Sequence, residues 1–355
     1  MKSENQKTHF LELPKSQRLE LLRFFLQENP NKTLEIVEKD FWVCWVLKQL
    51  FEMPDRKNIA FKGGTSLSKV FNIIDRFSED IDITIDYRDF DAFKALNLDG
   101  SQTMPMHFQS GREQRRFSQK LIDEVCAYSA DLVLPYLQKR IKELPEYELF
   151  GVELCDQDQS IRFTYPSLGD EGSGYLRDHV LIEFGGRNVI NPNSVKTVEP
   201  YLMAITDDID FPTSLVTVLA AERTFWEKAT LIHVECHRGV REGAQRLSRH
   251  WFDLMQLSNH EVGTIAMSDF NLLQDVIDLK SVFYNSGHAN YDKCLSGDFI
   301  LVPGKSCLNQ LRNDYNKMLE ANFMGNSSVT FDQILESTHK TQDLINEFVR
   351  KAGLS

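Results

Sequence analysis

Residues 61–86 read FKGGTSLSKVFNIIDRFSEDIDITID, and two parts of this string carry residue types suited to phosphate chemistry. From Asp80 to Asp86 the sequence DIDITID alternates strictly, which predicts a strand with Ile81, Ile83 and Ile85 on one face. Asp80, Asp82, Thr84 and Asp86 then share the other face. Neighbouring carboxylates on one face resist joint ionisation unless a cation neutralises them. Hard oxygen donors of this kind suit Mg²⁺ or Mn²⁺. Upstream, a short strand Ile59-Ala60-Phe61 ends at Gly63-Gly64, and a helix follows through Leu67, Val70 and Phe71. That turn aims backbone N–H groups and the hydroxyls of Thr65 and Ser66 at a helix N-terminus, a seat for phosphate. Taken singly, the turn reads as structural and the Asp-x-Asp as a solvated strand face. In this order and spacing they read as the equipment of metal-assisted phosphoryl or nucleotidyl transfer.

The pattern Gly63-Gly64-Thr65-Ser66 followed by Asp80-Ile81-Asp82 resembles the signature of the DNA polymerase β-like nucleotidyltransferase superfamily. The fuller string GGTSLSKVFNIIDRFSEDIDI resembles the first motif of the AbiEii/AbiGii nucleotidyltransferase toxins, with Asp75, Arg76, Phe77, Ser78, Glu79 and Asp80 in family order. Upstream, EKDFWVCWVLKQLF resembles the helix that precedes this motif in those proteins. The resemblance implies a third metal carboxylate on a neighbouring strand. Glu183 in HVLIEFGG suits it, opposite in phase to Val180, Ile182 and Phe184, with Glu148 and Glu153 as open alternatives. It also implies a helix with an acidic residue and a nucleotide-contacting lysine, matched by Glu222 and Lys228. Leu219, Phe225, Trp226, Ala229 and Ile232 give that helix its packing face, which places Lys228 on the solvent side. The family's Arg-Asp-x-x-Asp-Leu motif is matched by Arg249 to Leu254. His250 stands in place of the first Asp, and Asp253 keeps the second, which the resemblance makes a candidate catalytic residue with Asp80, Asp82, Glu183 and Lys228.

By the same resemblance, the activity is transfer of a nucleotide from an NTP to the 3′ end of tRNA, in a bacterial toxin–antitoxin or abortive-infection system with a cognate antitoxin. Asp80, Asp82 and Glu183 would hold Mg²⁺ or Mn²⁺, and Gly63, Gly64, Thr65, Ser66 and Lys228 would seat the nucleotide. Arg238, Arg241, Arg246 and Arg249, between the last two motifs, supply a candidate acceptor surface. A second basic cluster, Arg112, Arg115, Arg116 and Lys120, opens another helix. Other readings are a nucleotidyltransferase or kinase acting on a protein or small molecule, and a non-catalytic nucleotide-dependent binding module. The intact Asp80–Asp82 pair speaks against the last of these.

These residues need a small sheet to hold them. Strands are predicted at 147–154, 160–165 and 178–184 besides the two above, and helices at 34–51, 112–143, 214–234, 246–257, 307–322 and 330–351. In the 34–51 helix, Ile36, Val37, Phe41, Trp45 and Leu47 form the buried stripe, with Glu38, Lys39 and Asp40 outside. The 214–234 helix is expected to be capped by Thr213 or Ser214. The fold class is α+β: a nucleotidyltransferase-like small mixed sheet flanked by helices over residues 1–205, then a mainly helical domain over 206–355.

Across 355 residues, Lys plus Arg is 40 against 52 Asp plus Glu, a net charge of −12. That argues against non-specific coating of nucleic acid and requires any phosphate-binding surface to be local. The six cysteines form no CxxC pair and read as reduced thiols. The N-terminal stretch MKSENQKTHFLELPKSQ has no signal-peptide core, and the longest apolar run, Phe41 to Leu47, is too short to span a bilayer. Together these predict a cytoplasmic protein with no membrane partner. His233 and His237 sit at i, i+4 but lack the glutamate position of HExxH, so they read as packing histidines rather than a zinc pair. No GxSxG elbow occurs.

Overall fold

The computed structural model describes residues 7–96, 108, 110–155, 159–169, 179–240, 245–321, 323, 324 and 327–353. The chain forms two compact units that interleave in sequence. The first draws on residues up to Val70, on Phe77–Phe90 and on Leu121–Val218. The second draws on Phe71–Arg76, Asp91–Lys120 and residues from Leu219 onward.

The strands are β1 (Thr8–His9), β2 (Ile59–Lys62), β3 (Ile81–Asp86), β4 (Gly151–Leu154) and β5 (Ser160–Thr164), then β6 (His179–Asn188), β7 (Asn193–Val198), β8 (Ile209–Asp210) and β9 (Ser214–Leu219). β1 and β8 pair in parallel as a small separate sheet. The others form one seven-stranded mixed sheet in the order β4-β5-β6-β3-β2-β9-β7. β3 is central, antiparallel to β2 and parallel to β6. Ile81, Ile83 and Ile85 are buried, as the alternation requires, beside Val180, Ile182 and Phe184 of β6.

The helices are α1 (Lys15–Glu28), α2 (Leu34–Glu52), α3 (Gly63–Lys69), α4 (Asp91–Lys94), α5 (Gly111–Tyr128), α6 (Leu134–Ile141) and α7 (Ala221–Arg238), followed by α8 (Arg249–Asn259), α9 (Glu261–Ala266), α10 (Phe270–Phe283), α11 (Tyr291–Leu295), α12 (Lys305–Glu320) and α13 (Phe331–Ala352). Thr33 caps α2, its hydroxyl accepting from Ile36 N at 3.3 Å. Trp42 and Trp45 of α2 lie 5.7 and 5.2 Å from the Phe163 ring of β5, anchoring the helix on the sheet.

The expectation that Glu38, Lys39 and Asp40 face solvent is corrected: all three are buried. Each is satisfied by a group distant in sequence, which no helical periodicity reveals. Glu38 accepts from Ser167 Oγ and Leu168 N, Lys39 donates to Glu79, and Asp40 takes Lys69 and Tyr201 N. α2 is therefore enclosed nearly all round.

Residues 214–219 are also corrected, from helix to strand. β9 pairs with β2 through Val218 and Phe61, and α7 begins only at Ala221. Ser214, Val216 and Val218 are buried while Leu215 is exposed, the period-two pattern of a strand that runs into a helix without a marked turn. Tyr147–Leu149 is a 3₁₀ turn rather than strand, and β6 runs on to Asn188. The predicted 246–257 helix starts at Arg249. The stretch 112–143 is helical as expected, with a π-helical segment at Ser129–Val133 between α5 and α6.

The second unit is helical. Trp226 of α7 lies 6.2 Å from the Phe299 ring, and Trp251 Nε1 of α8 donates to Leu301 O at 2.9 Å. Thr330 and Gln333 form a reciprocal capping box at the start of α13. Among the described residues, no helix is long and apolar enough to cross a membrane.

Candidate active site

In the first unit, the residues of the Gly-Gly turn and the carboxylate strand meet. Asp82 of β3 stands in register between Lys62 of β2 and Glu183 of β6. Side chains in register on adjacent strands lie on the same face, about 4.5–5.5 Å apart at Cβ. Asp80 shares this face by strand alternation. Glu183 is exposed, Asp82 half-buried and Asp80 buried. The alternatives to Glu183 lie elsewhere: Glu153 is on β4 and pairs with Arg162 at 2.9 Å, and Glu148 is in the 3₁₀ turn. At the far end of β3, Asp86 is bound to Arg88 at 2.5 Å and caps the following turn.

Gly63 follows β2 at the start of α3 with φ +79°, a conformation L side chains rarely adopt. A Cβ placed there would sit 2.0 Å from Asp82 Oδ2, so the glycine also leaves room for the carboxylate. Thr65 and Ser66 are buried, and their hydroxyls serve the turn itself. Thr65 Oγ1 lies 2.9 Å from Ser78 Oγ and donates to Asp80 O at 2.5 Å, while Ser66 Oγ donates to Gly63 O at 3.0 Å. Their hydroxyls thus brace the loop and the entry to β3. Gly63→Ala is expected to destabilise the protein by about 1–3 kcal/mol through strained backbone alone. It should also displace Asp82, so transfer activity should fall further than the melting temperature explains. Calorimetry and a transfer assay on the same preparation check this.

The carboxylates are hard oxygen donors, the class Mg²⁺ takes. Among the described residues, no three His, Cys, Asp or Glu groups already enclose an ion position. Mg²⁺ does not need such a cage, since it is commonly held by one or two carboxylates together with substrate phosphates and water. Thr84 Oγ1, on the same face of β3, is buried without a hydrogen-bond partner among the described residues and adds another oxygen to it. The residue set fits a divalent ion brought in with a nucleotide.

In the second unit, Lys228 is corrected from a solvent-side position: it is only 7% exposed. Its Nζ donates to Asp253 Oδ2 at 2.8 Å. Asp253 is fully buried, at 0% exposure, and also receives Nε and Nη2 of Arg76 at 2.7 Å each. Burial works to raise the Asp253 carboxyl, but Arg76 and Lys228 outweigh it and hold it well below the usual carboxylate range. Lys228 shares its carboxylate with Arg76, so burial prevails and its amine is held below the ordinary range. His250 is pushed well below the usual imidazole range, first by burial and then by Lys228 and Arg249. A neutral ring at the position of the family's first Asp adds no second anion there. Glu222 is half-buried in the first turn of α7.

Arg238 pairs with Glu235 at 2.9 Å, Arg246 lies over the Phe323 ring at 5.6 Å, and Arg249 is half-buried. Arg241 lies outside the described residues. Arg112, Arg115, Arg116 and Lys120 are exposed on the first turns of α5. His233 is a packing histidine: Nε2 bonds Asn290 O at 3.2 Å, Nδ1 accepts from Ile300 N at 3.0 Å, and burial pushes the ring down to about 4.

The family model described as nucleotidyl transferase AbiEii toxin, type IV toxin–antitoxin system, matches residues 45–337. The chain belongs to this AbiEii family. It is a nucleotidyltransferase. Among solved structures it is similar to MenT4, a nucleotidyltransferase toxin from Mycobacterium tuberculosis H37Rv, at 15% identity and a TM-score of 0.41, covering 95% of this chain and 99% of that one. No curated protein sequence matches significantly. Two elements of this AbiEii chain escaped sequence reasoning. Arg76 was visible only as part of the Asp75-Arg76 motif, and Glu79 and Lys39 only as a motif residue and an outward helix charge, not as a pair.

Proposed function

We propose that the chain transfers a nucleoside monophosphate from an NTP to the 3′ end of tRNA, with Asp80, Asp82 and Glu183 as divalent-metal carboxylates. The observation that carries this reading is the register of Asp82 with Glu183, together with the close approach of Gly63 to the Asp82 carboxylate. A bound Mg²⁺ or Mn²⁺ would align the α-phosphate and neutralise charge on the departing pyrophosphate. Gly63 and Gly64 offer backbone N–H groups to the triphosphate, and Thr65 and Ser66 hold that turn in shape. A carboxylate on the metal face takes the proton of the acceptor hydroxyl.

Lys228 is the proposed nucleotide cation of the second unit. Arg76 keeps Asp253 compensated through two hydrogen bonds, so Lys228 can turn toward a phosphate without stranding a buried anion. The reading further places the protein in the cytoplasm, with a cognate antitoxin as partner.

With a net charge of −12, tRNA must be met by concentrated basic surface, here Arg238, Arg241, Arg246 and Arg249. Replacing Arg238, Arg241 and Arg246 together with Gln is expected to weaken tRNA modification and flatten its salt dependence. The slope of log K against log salt should fall by roughly 0.7–0.9 for each phosphate no longer neutralised. Turnover of NTP without tRNA should be spared. Labelled NTP incubated with Mg²⁺ and either total tRNA or a protein extract tests the acceptor. Label on protein alone, or tRNA binding independent of salt, would overturn it.

A further inference from the structure

Asp80 enters β3 from a loop, and two different elements fix that loop. From α3, Thr65 Oγ1 donates to the Asp80 carbonyl at 2.5 Å. From α2, Lys39 Nζ lies 2.6 Å from Oε2 of Glu79, the residue immediately before Asp80. The two side chains of this pair are 1% and 2% exposed. A buried ion pair is weak support for stability, because desolvation cancels much of its attraction. What such a pair can supply is a fixed location for the groups it joins. Here that location sets where the chain turns into β3 and therefore where the Asp80 carboxylate begins. One residue further along α2, Asp40 binds Lys69 of α3 at 2.5 Å. One turn of α2 thus grips both sides of the candidate site, the Gly-Gly helix and the carboxylate strand.

We infer that Lys39 is a positioning residue for metal binding: held against Glu79, it sets the carboxylate of Asp80 in the place from which it shares a divalent ion with Asp82. The inference rests on the reading of Asp80 and Asp82 as metal carboxylates, and nothing in it requires Lys39 to touch metal or nucleotide. Groups of this kind behind a ligand commonly govern affinity by 10–100-fold, so a loss of roughly that size is expected.

The test uses the full chain and Mn²⁺, followed by loss of the free-ion electron paramagnetic resonance signal, with the Mg²⁺ concentration for half-maximal transfer as a second readout. Lys39→Met removes a buried cation from beside the Glu79 carboxylate, and that variant can fail to fold. The decisive variant is therefore Lys39→Met with Glu79→Leu, which removes both charges and fills the space with apolar atoms. Its melting temperature is expected to stay near that of the parent. Its Mn²⁺ affinity should fall by roughly 10–100-fold, with a matching rise in the Mg²⁺ requirement and an unchanged KM for NTP at saturating metal. Lys39→Arg, which keeps the charge, should recover part of the affinity. Parental melting temperature together with parental Mn²⁺ affinity in the double variant would overturn the inference and leave the pair as core filling. If Asp82→Asn also leaves Mn²⁺ binding untouched, or the parent binds no Mn²⁺, the metal reading itself fails, and that outcome is distinct from the first.

Discussion

Asp82→Asn is expected to lower nucleotidyl transfer by roughly 10³-fold or more, the loss of several kcal/mol of charge stabilisation at a metal-assisted centre. Asp82 stands between Lys62 and Glu183 in register, with Gly63 leaving space at its carboxylate. Asparagine keeps the shape and one carbonyl oxygen but removes the anion, so packing survives while the ion loses a charged donor. The side chain is half-buried on a sheet face whose opposite side is closed by Ile81 and Ile83, so the fold should be retained. Asp80→Asn should act in the same direction. Mg²⁺-dependent transfer and thermal unfolding, measured on the two single variants and the double, check this. Full activity in the double variant would remove both residues from the chemistry.

A different kind of loss is expected at Asp253. Asp253→Asn leaves Arg76 and Lys228 buried around a neutral amide, and breaking a buried ionic cluster in this way costs about 3–5 kcal/mol. For a unit of this size the melting temperature should fall on the order of 10 °C. Lys228→Met should behave otherwise. The two hydrogen bonds from Arg76 to Asp253 remain, and a cation whose ionisation burial already disfavours is replaced by an apolar chain of similar length. Its melting temperature should stay within a few degrees of the parent. Its KM for NTP should rise. The pH dependence has a definite sign. The Asp253 carboxyl is depressed in the folded state, so its contribution to stability is fully present above about pH 4 and is lost as pH falls below that. Acid unfolding of Asp253→Asn should lack this component. Equal melting temperatures for Asp253→Asn and Lys228→Met would contradict the shared-carboxylate arrangement.

The parts of the fold legible in the sequence are those fixed by local alternation. DIDITID could only be a strand with isoleucines inward, and HVLIEFGG put Glu183 out of phase with its apolar neighbours, so its place beside Asp82 needed only the register. The stretch SLVTVLAAERTFWEK was harder, because an apolar run that passes from strand to helix without glycine or proline satisfies both periods at once. Charges in α2 were illegible for another reason. Glu38, Lys39 and Asp40 look like a solvent face until Ser167, Glu79, Lys69 and Tyr201 arrive from elsewhere in the chain. The same holds for the surroundings of Asp253, the candidate catalytic carboxylate of the Arg249–Leu254 motif. Its partner Arg76 is 177 residues away, and Lys228 donates to the same carboxylate.

The most direct measurement follows the label of an NTP carrying ³²P at either the α or the γ position, incubated with the protein and total tRNA in Mg²⁺ or in EDTA. A metal-dependent nucleotidyltransferase acting on tRNA should place α-label at tRNA 3′ ends with release of pyrophosphate, in Mg²⁺ only, and should lose it in Asp82→Asn. Transfer of the γ-label, or α-label transfer that persists in EDTA, would contradict that chemistry.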